Sequence, residues 1–329
     1  MIIRDKQDLR KCVKQCVRRA QVIETDAKAD VILGEYGVKA NLGHWASSVE
    51  SLQEAFEQSS LGTPFARKQG TLLAALDALQ LPVHNLDKAE SIIRGYDRQA
   101  YLTAVLSAMR ARKVLLHVSA NQAEQFPFED ERIAPLLVVD ESLFVPGRYG
   151  VNYEEVAEYI RQLLHSLDAR DILADGCVMQ AIEYCLLPVC EDEGTVLHVH
   201  ARTADELCRM LELLEHHDSA KAIVSADEAL ERELIKRAAQ YRNVVVKLHG
   251  THNLTDALLT LGTRFIPYSS AASTAEEMLG GWVYAKEALW QSLYEAYLLL
   301  ARTGYELTRE GIEADIEALL CGNYEKLHA

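Results

Sequence analysis

Residues two apart, at the ends of short apolar runs, are where this sequence could do chemistry. Asp26 with Lys28, His198 with His200, and Lys247 with His249 form three such pairs. Side chains at i and i+2 of a strand point to one face, so each pair would be presented together. A lysine can polarise a carbonyl, or form a Schiff base if burial depresses its pKa. A histidine can take or return a proton near neutral pH. Asp26, Lys28, His198, His200 and Lys247 are therefore the candidate catalytic residues. His117, Asp140, His249 and Ser270 are candidates for holding a substrate, and Ser119, Asp175, Ser225 and Ser269 fall at similar places.

Each has a plainer reading. His198 and His200 could be satisfied core histidines, and their H-x-H spacing also matches a metal pair. Ser225, with Glu228 three residues on, matches a helix cap. Lys247 could snorkel outward to a helix layer or point into a mouth. Ser269 and Ser270 could satisfy loop backbone groups.

Positioning such pairs requires strands. Apolar, β-branched runs occur at Gln21–Thr25, Lys113–Val118, Leu136–Asp140, Asp171–Ala174, Thr195–His200, Lys221–Ser225, Asn243–His249 and Arg264–Tyr268. That makes about eight strands, the number a closed parallel barrel needs. Helical patterns separate most of them, and strand-then-helix alternation implies right-handed crossovers. Asn152 with Glu155, Thr203 with Glu206, Ser225 with Glu228, and Thr274 with Glu277 have capping-box spacing. A final helix carrying Ile312, Ile316, Leu319 and Leu320 is expected to stop at Gly322. Between the first strand and Lys113 the chain is too long for one crossover. Its repeats, such as Leu72, Leu73, Leu76 and Leu79, read as helix. The sequence thus predicts an α/β fold, a (β/α)8 TIM-type barrel of one domain over 1–329. Residues 30–112 form a mainly helical insertion at the barrel mouth. An open doubly wound sheet is the alternative, but no glycine-rich phosphate fingerprint follows any strand.

Composition narrows the partners. Asp and Glu number 49 against 34 Lys and Arg, a formal net charge of -15. Such a chain repels phosphate backbones and anionic membranes, which argues against nucleic acid and membrane partners. The basic start, Arg4 to Arg19, carries Leu9, Val13, Cys16 and Val17 at helical spacing and reads as a solvated amphipathic face. Seven cysteines with no C-x-x-C pair read as reduced thiols. No signal peptide or membrane span is evident, so a soluble cytoplasmic protein is expected.

Three segments resemble the uronate isomerases of the amidohydrolase superfamily. Val22-Ile-Glu-Thr-Asp-Ala-Lys28 stands where that family has V-I-D-T-H-x-H. From Leu61 to Ser119 the order runs Thr63-Pro-Phe, the leucine-rich helix, Asn85-Leu-Asp87, Tyr101 and Lys113-Val-Leu-Leu. Leu261-Gly-Thr-Arg-Phe-Ile-Pro-Tyr-Ser-Ser-Ala-Ala-Ser273, then Trp282 and Cys321-Gly-Asn323, resemble L-G-x-x-F-I-P-x-x-S-D-A-R, a following Trp and a closing G-N. The resemblance implies a divalent metal at the barrel mouth, held by two His of the first strand and an Asp of the last. It also implies interconversion of an aldehyde sugar acid and its keto isomer, and association into a homo-oligomer.

This sequence departs at those points. Asp26 and Lys28 stand at the two His positions, Ala271 at the Asp position, Ser273 at the adjacent Arg, and Val138 where relatives often carry Arg. Protonated lysine cannot ligate a metal and alanine offers no donor. The expectation is no metal and no cofactor, with Lys28, alone or together with Lys247, standing in for the cation beside Asp26. Three functions follow. One is a metal-independent enzyme on a sugar acid or small carbonyl compound. Another is a non-catalytic relative that binds a small ligand or a partner. A third is a hydrolase with a metal relocated to His198, His200 and His249.

Overall fold

The computed structural model describes residues 3, 5–43, 46, 50–59, 63–125, 130–145 and 150–329. Arg4 of the basic start and Leu61 of the second resembling segment lie outside these residues.

Eight parallel strands follow one another around a curled sheet in sequence order, giving the (β/α)8 TIM-type architecture. They are β1 (Val22–Ala27), β2 (Ala111–Ser119), β3 (Ile133–Asp140), β4 (Asp171–Asp175), β5 (Val196–Ala201), β6 (Lys221–Ala226), β7 (Val244–Lys247) and β8 (Phe265–Ile266). All eight coincide with apolar runs of the sequence. The expected seventh and eighth strands are longer than the ladders that form, which end at Lys247 and Ile266. Sequential parallel neighbours joined by helices are what right-handed crossovers produce. Among the described residues, no helix is long and apolar enough to cross a membrane.

Helix starts follow local chemistry. Thr203 and Glu206 form a complete capping box on Ala204–His216. Asn152 caps Tyr153–Leu167, and Thr274 caps Ala275–Arg302. The Ser225–Glu228 expectation is corrected. Ser225 belongs to β6, and the next helix, Glu231–Ala238, starts after Leu230 with no side-chain cap. The stop at Gly322 is corrected as well. Gly322 keeps right-handed helical angles, φ -64 and ψ -32, and the chain continues as helix through Asn323–Leu327. The left-handed glycine cap that commonly ends a helix needs positive φ, which Gly322 does not adopt.

Residues 30–112 contain six helices among the described residues, from Asp30–Leu33 to Arg98–Met109. Thr63–Ala78 and Arg98–Met109 pack on the long helix Ala275–Arg302. The buried Glu276 carboxylate fastens the insertion: it accepts hydrogen bonds from Tyr101 Oη (2.6 Å), Gly37 N (2.7 Å) and Asn41 Nδ2 (3.0 Å).

The seam between β8 and β1 is built differently. No ladder joins these two strands among the described residues. Lys28 N donates to Ala272 O at 3.0 Å. The fully buried Glu24 of β1 adds one side-chain bond across the seam, accepting from Ser270 N at 3.0 Å; it also accepts from Trp282 Nε1 of the long helix at 2.9 Å and from Asp26 N of its own strand at 2.9 Å. Burial raises the Glu24 pKa despite these donors.

The opposite end of the barrel is plugged by polar groups. Asp171 accepts from His198 Nε2 at 2.9 Å and Tyr324 Oη at 2.7 Å. His328 Nε2 lies 3.4 Å from the same carboxylate. Asn323 Nδ2 donates to Phe265 O at 2.8 Å, tying the last helix to β8.

Candidate functional site

At the carboxyl ends of the strands lies a cavity of about 720 Å³, bordered by Asp26, Lys28, His117, His200, Lys247 and His249. This is the end where barrels of this type place their sites. Of the nine residues singled out from the sequence, these six border one space. His198, Asp140 and Ser270 do not line it.

Asp26, at the end of β1, and Lys247, at the end of β7, meet at its base. Lys247 Nζ donates to Asp26 Oδ2 at 2.8 Å, and His117 Nε2 lies 2.6 Å from Asp26 Oδ1. Lys247 is 2% exposed, so its ammonium is inside the mouth and not on the helix layer. Burial alone would raise the Asp26 pKa. The Lys247 charge and the His117 hydrogen bond outweigh it and hold the carboxyl well below its ordinary range. Both oxygens of Asp26 are thereby engaged.

Lys28 behaves otherwise than expected. Its side chain is exposed at the rim and has no ion pair among the described residues. The cation beside Asp26 is Lys247. Strand periodicity places Lys28 on the Asp26 face, but β1 ends at Ala27, so Lys28 is already outside the ladder.

His200 and His249 stand edge to face, with ring centroids 5.2 Å apart. His200 Nε2 lies 2.9 Å from Asp227 Oδ1, and Nδ1 lies 3.1 Å from Ser225 Oγ. A neutral imidazole satisfies both if Nε2 carries the proton toward Asp227 and Nδ1 accepts from the serine. Ser225 Oγ is also 3.2 Å from Val199 O, a competing acceptor for its single proton. His249 donates its backbone N–H to Glu231 Oε1 at 3.1 Å. Its ring has no hydrogen-bond partner among the described residues. Burial, and then the neighbouring Lys247 charge, lower its pKa to about 4. His249 is therefore a neutral base at neutral pH, facing the cavity.

The other three candidates have local partners. His198 is 1% exposed and bonded to Asp171 in the barrel plug. Burial lowers its pKa, partly offset by Asp171. Asp140 caps the turn after β3, accepting from Ser142 N at 2.8 Å. Ser270 Oγ accepts from Ala272 N at 3.3 Å. Sequence reasoning missed Arg202, Arg209 and Gln180, which also border the cavity, and Asp227, which orients His200. Period two could have found two of them: Arg202 follows His200 by two residues, and Asp227 follows Ser225 by two.

The donors present do not fit a divalent metal at the position the resemblance implies. Asp26 is engaged on both oxygens, Lys28 brings a positive charge, and Ala271 brings a methyl group. Ala271 also sits at φ 45. Among the described residues no group of three or more His, Cys, Asp or Glu could hold a metal. His198, His200 and His249 do not form one, because His198 is turned to the plug.

No family model matches the chain, and no curated protein matches its sequence. Solved structures do. Aligned over 99% of this chain and 97% of the other, a uronate isomerase from Bacillus halodurans C-125 has a TM-score of 0.85 at 17% identity. A protein proposed to be a metal-dependent hydrolase, from Lactobacillus casei ATCC 334, gives 0.61 at 13% identity, over 96% of this chain and 97% of its own. From end to end, then, the chain has the fold of a uronate isomerase-like barrel.

Proposed function

We propose that this protein is a uronate isomerase-like barrel that has lost the metal of its relatives and moves a proton on a sugar acid or other small carbonyl compound with its own side chains. The observation that carries this reading is the buried Lys247 ammonium at the base of the cavity, beside a neutral His249.

Lys247 has three N–H donors, and Asp26 engages one. Another is free to hydrogen-bond a substrate carbonyl oxygen and stabilise the negative charge that develops there. His249 takes the proton from the adjacent carbon as the enediol forms, then returns it to the former carbonyl carbon. The hydroxyl proton of that adjacent carbon passes to the old carbonyl oxygen, so aldehyde and ketone interchange with no net loss of atoms or electrons. Lys28, Arg202 and Arg209 at the rim supply positive charge for the substrate carboxylate.

A second reading has its own support. With both Asp26 oxygens engaged, the mouth already has an internally neutralised centre, which suits a protein that binds such a ligand without chemistry. One experiment separates the two. Chelator-treated protein is incubated with uronates in D2O, and carbon-bound deuterium is followed by NMR. The enzyme reading expects exchange that falls about 100-fold or more in Lys247→Met and in His249→Gln. Ligand binding without exchange would leave the binding reading standing.

A further inference from the structure

A second cavity, of about 510 Å³, opens at the other end of the barrel, where β6 and β7 begin. Among the described residues its walls carry four cationic side chains, Lys221, Arg242, Arg264 and Lys326, and a single acidic side chain, Asp218. The chain as a whole has 49 acids against 34 Lys and Arg, so this wall inverts the charge balance of the molecule. Like charges gathered around a concavity repel one another and focus a positive potential into it.

Two of the cations are partly used. Lys221 Nζ donates to Ala329 O at 3.3 Å, and Arg264 Nη2 to Ala239 O at 3.2 Å. The Ala239 acceptor is a carbonyl oxygen; Ala329 is the last residue of the chain, where that oxygen belongs to a terminal carboxylate, so Lys221 is partly neutralised there. Arg242 and Lys326 are exposed and have no ion pair or hydrogen bond from their side chains to any described residue. Behind the charges the cavity is apolar, with Val244, Val246, Leu261 and Leu327, and Tyr241 at its side. An apolar floor with a few convergent polar groups is the usual make-up of a small-molecule site, and the volume is in the usual range.

We propose that this cavity binds a small organic polyanion, with phosphate or carboxylate groups on Arg242, Lys326, Lys221 and Arg264 and an apolar or aromatic body over Tyr241 and the valines. The site is separate from the mouth and does not depend on the activity assigned there.

The test is titration calorimetry on the full chain with two probes, inorganic pyrophosphate and adenosine 5′-diphosphate. Both are expected to bind saturably and more weakly as salt rises. The nucleotide should bind more tightly, because only it has an aromatic body. Arg242→Ala/Lys326→Ala should weaken both by about tenfold or more, equivalent to about 1.4 kcal/mol. The charge reversal Arg242→Glu should weaken them further, and Lys11→Ala, on the exposed face of the helix Lys6–Arg19, should change nothing. These side chains are exposed, so folding should survive, which a thermal melt checks. Absence of saturable binding, or binding undiminished in the double variant, would overturn the site. Equal affinity for the two probes would overturn the apolar half of the assignment.

Discussion

Lys247 Nζ lies 2.8 Å from Asp26 Oδ2, with 3% and 10% of the two side-chain surfaces exposed. The partners come from the first and seventh strands, so the pair spans the mouth of the barrel.

Removing one member should hurt more than removing both. Asp26→Asn leaves a buried ammonium without its counter-charge, a loss of about 3–5 kcal/mol. Asp26→Asn combined with Lys247→Met removes the charge as well and should regain much of that stability. Urea unfolding of the single and double variants measures this. Equal losses in the two would show that the stranded ammonium carries no stability cost.

Acid should weaken the fold in two stages. The folded pKa of His249 is lowered to about 4 from an ordinary 6.5. Between those values the unfolded chain binds more protons, so the His249 contribution is fully present above pH 6.5 and is lost as pH falls toward 4. The loss is about 3 kcal/mol at most. Asp26 is lowered too, so its contribution persists until pH falls below the ordinary carboxylate range. Stability measured against pH should therefore slope between 6.5 and 4 in the wild type and flatten there in His249→Gln. An unchanged slope in the variant would assign it to other groups, such as His198.

Divalent metal should not stabilise the mouth. A metal present at about 100 times its dissociation constant would add about 2.7 kcal/mol to a folded protein that binds it. With Asp26 engaged by Lys247 and His117, zinc and manganese titrations should leave the unfolding midpoint in place. A rise in midpoint accompanied by near-stoichiometric metal in elemental analysis would contradict the metal-free reading.

Tyr101→Phe should loosen the insertion. The hydroxyl hydrogen-bonds the buried Glu276 carboxylate at 2.6 Å. Losing a hydrogen bond to a charged group costs about 1.5–3 kcal/mol. Hydrogen exchange at Gly37 N, which shares that carboxylate, should quicken in the variant while exchange in β5 and β6 stays slow. Unchanged protection at Gly37 would mean that the other donors hold the insertion alone.

The strands were legible because apolar β-branched runs such as Val244–Val246 leave few alternatives, and the Asn152, Thr203 and Thr274 caps because their rule is local. Period two put Lys247 with His249, and both border the mouth cavity. It could not separate His198 from His200, because the difference is depth: Asp171, at the start of β4, draws the lower ring into the plug, together with Tyr324 from 153 residues further on. Nor could it choose Lys247 over Lys28 as the partner of Asp26, since that depends on how strands 221 residues apart in sequence are brought together. No described residue of 30–112 lines the mouth cavity, although the insertion leaves the barrel at that end. Of its described helices, Asp30–Leu33, Thr63–Ala78 and Arg98–Met109 lie against Ala275–Arg302, where Leu72, Leu76, Leu102 and Leu106 are buried.

The seam at Glu24 has a consequence for how this barrel can vary. A backbone ladder belongs to no particular codon, and most substitutions leave its bonds in place. Here the join is the Lys28 N–Ala272 O bond together with one acidic side chain, which receives Ser270 N across the seam and Trp282 Nε1 from the long helix. A single base change at Glu24 would remove the Ser270 and Trp282 contacts beside Asp26, whereas bonds between backbones survive a change of side chain. The shape of the mouth is thus open to heritable change at a position that does not itself line the cavity.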